Sequence, residues 1–159
     1  MLISVLDIGE EPAAQTAAAI GFGANVPIIS VLDSLNIAAV GNVAFTVPVD
    51  GTITDVAAYF SSTVAAALLG TTVQAQLYES TGPNNIFTPI AETLVTLAPG
   101  IPLVALGATA SGIVTGLDYQ VLAGTRLLLV FSVDGGPIPT TATGYASGGV
   151  HIAGPGLIP

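Results

Sequence analysis

The chain has no cysteine, no tryptophan, one methionine and one basic side chain in 159 residues. Without cysteine there is no disulfide framework, thiol nucleophile or thiolate metal site, and any redox compartment is compatible. One Lys or Arg against ten Asp and Glu leaves a formal net charge of −9. Nucleic-acid affinity rests on several cations that neutralise phosphates, so a nucleic-acid partner is excluded. Anionic lipid is disfavoured on the same ground. The near-absence of Lys and Arg also removes trypsin sites, which suits exposure to proteases. Charged residues make up 7% of the chain, where an average soluble domain has roughly 25%. Long apolar runs are missing too. Pro and Gly interrupt every candidate before the ~18 to 20 residues that a membrane helix needs, so no membrane insertion is expected. Asp7, Glu10 and Glu11 come too early, with no Lys or Arg before them, for a secretory signal.

What is present is apolar: 52% of the residues are hydrophobic. The length suffices for one domain with a sizeable core. With a membrane helix set aside, so much apolar surface calls for an obligate oligomer or for a surface of Ala, Thr, Gly and Ser. The stretch from Gly124 to Ser132 organises the rest. Arg126, the single cation, is followed at once by Leu127-Leu128-Leu129-Val130-Phe131, and Asp134-Gly135-Gly136-Pro137 closes the run. A short run of this kind predicts a central strand buried on both faces. Unpaired buried charge is costly, so Arg126 is expected at the strand end, paired with an acid or a carbonyl. A role as a lone catalytic electrophile lacks companions.

Residues 1–25 differ in texture and are expected to form an N-terminal arm or linker. Met1 to Leu6 suits a strand. Pro12 and the following Ala-rich run, 13–19, have helix propensity, with acids at the start; a linker is the other reading. Ile3-Ser4-Val5-Leu6-Asp7 recurs identically at Ile29 to Asp33, as strand reuse or by chance. From Val26 the pattern is all-β, with turn residues at roughly 8 to 12 residue intervals. Strands are expected at 27–32, 36–40, 42–48, 52–60, 64–69, 72–79, 88–97, 101–106, 111–121, 126–133 and 143–152. Val43, Phe45 and Val47 should share one face of their strand. Val73, Ala75 and Leu77 should do so in theirs, with Gln74, Gln76 and Tyr78 on the other face. Asp50-Gly51 carries a hairpin signal, and Gly82-Pro83-Asn84-Asn85 a turn. Many short strands without long helices indicate a β-sandwich of jelly-roll type over 26–153, with 154–159 as a tail.

The chain has little with which to build a catalytic site. His151 is the sole histidine, so no His or Cys can join it in a transition-metal site. It reads as a strand-end side chain without chemistry, or as a residue near a symmetry axis, where paired histidines titrate near neutral pH. The Gly-x-Ser-x-Gly pattern is missing, since Ser147 is misplaced for it. Asp50 with Asp55, or Glu79 with Glu92, could approach across a sheet, but solvated loop acids are the plainer reading. A glycosidase cleft wants aromatics, which are only 6% here. No segment has calcium-loop spacing, and Gly21-Phe22-Gly23-Ala24 lacks the Gly and Lys of a phosphate loop. No enzyme activity, metal or other cofactor is expected.

Several stretches carry a resemblance. They run from Phe45 through Thr54, Ala58 to Ser61, Gln76 to Ser80, Pro83 to Asn85, Phe87 to Ile90, Gly124 to Phe131, and Gly144 to Ser147. In this order they resemble the C-terminal, BclB-type head domain of collagen-like glycoproteins of the bacterial exosporium. The resemblance implies a head similar to the tumour necrosis factor type: a jelly-roll homotrimer that tips a Gly-X-Y stalk on a spore surface or outside the cell. A trimer would bury apolar faces and start a triple helix in register. Interface cores are depleted in charge and enriched in aromatics. Tyr59, Phe60, Tyr78, Arg126, Phe131 and Tyr145 are therefore the candidates for packing within or between subunits. No Gly-X-Y tract occurs in the 159 residues, so the chain is expected to be either the head alone or a stalkless relative. An adhesin or carbohydrate-binding module, using inter-subunit grooves to hold a glycan or a surface protein, is the alternative.

Overall fold

A computed structural model describes residues 2–5, 14–20, 25–31, 35–36, 44–63, 72–99, 107–134 and 142–155. The described strands are β1 (Leu2–Val5), β2 (Ala14–Ile20), β3 (Asn25–Val31), β4 (Leu35–Asn36), β5 (Phe45–Thr46), β6 (Gly51–Ser62) and β7 (Thr72–Ser80). There follow β8 (Ile86–Pro89), β9 (Val95–Thr96), β10 (Thr109–Val114), β11 (Tyr119–Val121), β12 (Arg126–Asp134) and β13 (Ala142–Ala153). A 3-10 turn covers Ala91–Thr93. Every pairing named below is antiparallel. The first sheet runs β1-β13-β6-β10, with β11 also on β6; the second runs β3-β2-β12-β7-β8-β4, with β5 on β12 and β9 on β7. Among the described residues no helix is long and apolar enough to cross a membrane.

The sheets pack face to face through the alternate residues of their strands. Val56, Ala58 and Phe60 of β6 join Val73, Ala75 and Leu77 of β7 and Leu127, Phe131 and Val133 of β12 in one core. The expected alternation in β7 is thus observed, with Gln74, Gln76 and Tyr78 on the opposite face. Phe45 packs against this core and Val47 lies in it; Val43 falls outside the described residues, as do 64–69 and 101–106. In β12, Leu128 and Val130 point away from the core cluster, yet are 1% and 3% exposed. This strand is central and buried on both faces, as the apolar run predicted.

Four expectations need correction. The Ala-rich run at 13–19 is a strand over its described part, Ala14 onward, and not a helix: β2 lies between β3 and β12, with Ala18 opposite Phe131. Ala has a helix preference only when nothing else claims its backbone, and here two neighbouring strands do. Asp50-Gly51 does not close a hairpin, because β5 pairs with β12 in one sheet while β6 belongs to the other. Gly51 serves close approach instead: a Cβ there would lie 2.7 Å from the Ala153 carbonyl oxygen and 2.7 Å from Ile152 Cγ2.

The expected strand 88–97 is broken. Pro89 has no N–H to continue a ladder. The Leu77 backbone N–H donates instead to the Thr93 hydroxyl at 3.0 Å, and that hydroxyl donates to the Ile90 carbonyl at 2.7 Å. The expected strand 111–121 is broken too, at Gly116 with φ of 72°. Its halves, β10 and β11, both pair with β6. By contrast, the turn at 82–85 forms as expected: the Asn84 side-chain oxygen accepts the Ile86 N–H at 2.9 Å and joins β7 to β8. Both copies of the repeated Ile-Ser-Val segment fall in strands, one in β1 and one in β3.

Candidate functional site

The outer face of the first sheet is built of small residues crossed by a diagonal of large ones. Tyr145 on β13 stands opposite Ser61, and Tyr59 on β6 stands opposite Ser147 and Ser111. Ile113 on β10 stands opposite Ala57. Diagonal neighbours of this kind are roughly 7 to 8 Å apart, within reach of aromatic side chains. Tyr145, Tyr59 and Ile113 are 52%, 43% and 64% exposed. Their neighbours on β6 and β13, Phe60 and Ala146, point inward and are 1% and 4% exposed. The strand period alone thus divides the aromatics: Phe60 and Phe131 are core, Tyr59 and Tyr145 are surface. Tyr78 is half-buried on the outer side of the second sheet, in register with Leu128 and Pro89.

Below this diagonal lies a polar cluster. The register of β6 against β13 slips between His151 and Ile152, which leaves Thr54 as the extra residue of a β-bulge. The bulge brings Thr54, Asp55 and His151 together. The Thr54 hydroxyl donates to Asp55 Oδ2 at 2.7 Å. Its one hydrogen is thereby used, so His151 Nδ1–H is the donor to Thr54 Oγ1 at 2.7 Å and to Asp55 Oδ2 at 3.2 Å. The Thr54 hydroxyl holds the Asp55 carboxyl below its ordinary value; partial desolvation opposes this, and His151 adds to it. A hydroxyl–imidazole–carboxylate relay puts its two partners on different ring nitrogens. Here both meet Nδ1, so the cluster is not such a relay. The backbone of the bulge is held from the far side by Leu117, whose N–H donates to the Thr54 carbonyl at 2.9 Å.

Of the acid pairs considered from sequence, the first has different neighbours and the second shares Tyr119. Asp50 accepts the Ala123 N–H at 2.8 Å, while Asp55 belongs to the bulge. Glu79 accepts the Tyr119 phenol, and Glu92, exposed within the 3-10 turn, acts on the same phenol through its charge. Among the described residues no group of three His, Asp or Glu is placed to hold a metal ion.

Arg126 opens β12 at the edge of an open depression of about 450 Å³, lined by Thr81, Gly82, Pro83, Asn84, Asn85 and Gly124 with Arg126 itself. Its guanidinium meets carbonyls and neutral side chains, not acids. It donates to the Asn84 carbonyl, to Gly82 O at 3.5 Å, to Ser80 Oγ at 3.1 Å and to Asn85 Oδ1 at 3.2 Å. Phe87, fully buried, lies under it with 5.2 Å from the guanidinium carbon to the ring centroid.

The bulge cluster and the depression were both missed at the level of sequence. Their partners lie about 40 to 100 positions apart, as with Thr54 and His151 at a separation of 97 and Arg126 and Asn85 at 41. The signal that could have found the depression is the pairing of a lone Arg with an Asn-Asn turn.

No family model and no solved structure matches the chain. Among curated proteins it is similar to "Collagen-like protein 1" of Acanthamoeba polyphaga mimivirus, 29% identical over 164 residues. That match covers 95% of this chain and 17% of the relative's length. The chain is thus a nearly all-β, antiparallel two-sheet protein with distant similarity to part of a collagen-like protein.

Proposed function

We propose that the chain is the non-enzymatic, homotrimeric head of a collagen-like fibre protein, with a jelly roll of the tumour necrosis factor type. The exposed Tyr145–Tyr59–Ile113 diagonal carries this reading. A sheet face of Ser, Ala and Gly crossed by large apolar side chains is suited to lie against another copy, and such patches mark association surfaces. Topology supports the jelly roll. The chain crosses repeatedly between the sheets: β1 in the first, β2 in the second, β6 in the first, β7 in the second, then β10, β12 and β13 alternating again. Similarity to a collagen-like protein supports the fibre, and a bacterial spore surface is the setting that the BclB-type resemblance suggests.

Light scattering at micromolar concentration tests the reading. The expected mass is three times the 15.7 kDa of the chain; a monodisperse monomer overturns it. A second reading, as a carbohydrate-binding module, draws on the Arg126 depression. That depression lies within one chain and on the other sheet from Tyr59, so it does not depend on grooves between subunits.

A further inference from the structure

We infer that the depression beside Arg126 is a subsite for a single acidic sugar, with the guanidinium taking its carboxylate. Arg126 is the only Lys or Arg in a chain of net charge −9. No acid among the described residues pairs with it; its acceptors are two carbonyls, a hydroxyl and an amide oxygen. Those neutral acceptors orient the group without cancelling its charge. Of its five N–H donors, Nε and one hydrogen of Nη1 have no partner among the described residues. A carboxylate is the ligand group that suits such a fixed planar cation.

The lining names the rest of the ligand. Asn84 Oδ1 is engaged by the Ile86 N–H and the Ser80 hydroxyl, and Asn85 Oδ1 by Arg126. Both side-chain amides therefore keep their nitrogens as donors, beside the Thr81 hydroxyl. The lining has Thr, Gly, Asn and a single Pro, with no aromatic or long aliphatic side chain. Such a wall suits hydroxyl groups and gives an apolar peptide side chain nothing to pack on. The volume of about 450 Å³ falls in the roughly 300 to 1,000 Å³ range of small-ligand sites. The acidic surroundings select further: the field of the whole chain repels polyanions, so the site favours one carboxylate on a neutral polyol. All lining residues come from one chain, so the inference stands or falls separately from trimerisation.

Calorimetric titration of the full chain tests it with glucuronate, glucose, triglycine and a disaccharide ending in glucuronate. Arg126→Ala is a poor probe alone, because it also removes the contacts that hold the 80–85 turn. Asn85→Asp is the better variant. It places a carboxylate where Asn85 Oδ1 now sits, 3.2 Å from Nη1, and so neutralises the cation. It also removes the Asn85 amide donor, and glucose, which lacks the carboxylate, reports that second loss by itself. Glucuronate should bind at least about tenfold more tightly than glucose, and Asn85→Asp should weaken glucuronate by about tenfold while its melting temperature does not fall, the scale of one lost charge-assisted pair. A disaccharide that binds more tightly than free glucuronate upholds the subsite and makes its source a glycan end; equal binding upholds it with the free sugar acid as ligand. Equal affinity for glucose and glucuronate, no binding up to millimolar concentration, indifference to Asn85→Asp, or preference for triglycine each overturns the inference.

Discussion

Tyr119 donates its phenolic proton to Glu79 across the end of the sandwich, from β11 of the first sheet to β7 of the second. Burial is the main reason that the Tyr119 phenol is pushed up to about 12, and the Glu79 carboxylate that it bonds adds to the shift. The group is an acid with a raised value, so the folded state favours its neutral form. That contribution is complete below the ordinary tyrosine value of about 10 and is lost as pH rises toward the folded value of about 12. Following the tyrosinate absorbance should therefore show a late titration near pH 12 that Tyr119→Phe removes. The variant should also lose less stability between about pH 10 and pH 12 than the parent. A late step that survives the substitution refutes the assignment.

The bulge gives the corresponding test at the acid end. The Asp55 carboxyl is held low chiefly by the Thr54 hydroxyl. A carboxyl lowered in the folded state contributes stability above its unfolded value, and that contribution disappears as pH falls through the folded value. In Thr54→Val the carboxyl should titrate at a higher pH than in the parent, as read from its side-chain carbon shift. Stability should also depend less on pH in the acid range. An Asp55 titration left unmoved would assign the shift to His151 instead.

Gly144 marks a contact where the sheet admits no side chain. A Cβ there would lie 2.2 Å from the Ser61 carbonyl oxygen and 2.6 Å from Cζ of Phe60. Neither neighbour can yield: one is ladder backbone, the other a ring that is 1% exposed in the core. Gly144→Ala should cost about 1 to 3 kcal/mol by urea denaturation, the usual range for overpacking. Gly154, whose added Cβ would meet nothing within 4 Å, supplies the control: Gly154→Ala should stay within about 0.5 kcal/mol. Equal effects at the two positions would show that lost glycine flexibility, not crowding, sets the cost.

Where the sequence was informative, one local rule decided the outcome. Alternation in β7 and the apolar run of β12 fixed which side chains face the core, because a strand has no other way to hide them. The Asn84 turn was legible because its side chain makes the turn's own hydrogen bond. The failures share the opposite property. Ala14 to Ile20 has a helical preference that only two flanking strands override. Gly51 resembles a hairpin residue, yet is required by Ala153, about 100 positions away in the chain. The Thr54–Asp55–His151 cluster depends on a one-residue slip between β6 and β13, and register slips leave no trace in composition. For Arg126 the sequence offered an acid or a carbonyl, and the structure supplies carbonyls, from a turn whose position only folding reveals.

The exposed aromatics on β6 and β13 offer the sharpest division between fold and assembly. Tyr59 and Phe60 are adjacent in sequence, yet are 43% and 1% exposed, so substitutions at the two should fail differently. Phe60→Ala should unfold the chain in part, with a loss of about 3 to 5 kcal/mol whatever its oligomeric state. Tyr59→Glu with Tyr145→Glu leaves the core untouched, and on a solitary chain should shift stability by no more than about 0.5 kcal/mol per site. If the diagonal is buried between copies, two carboxylates per chain would be placed in a desolvated interface with no cation to pair with, which is strongly unfavourable. The double variant should then elute as a folded monomer with the β-type circular dichroism of the parent. A trimer that survives both substitutions would show that copies meet through some other face, and the assignment of this sheet to assembly would have to be withdrawn.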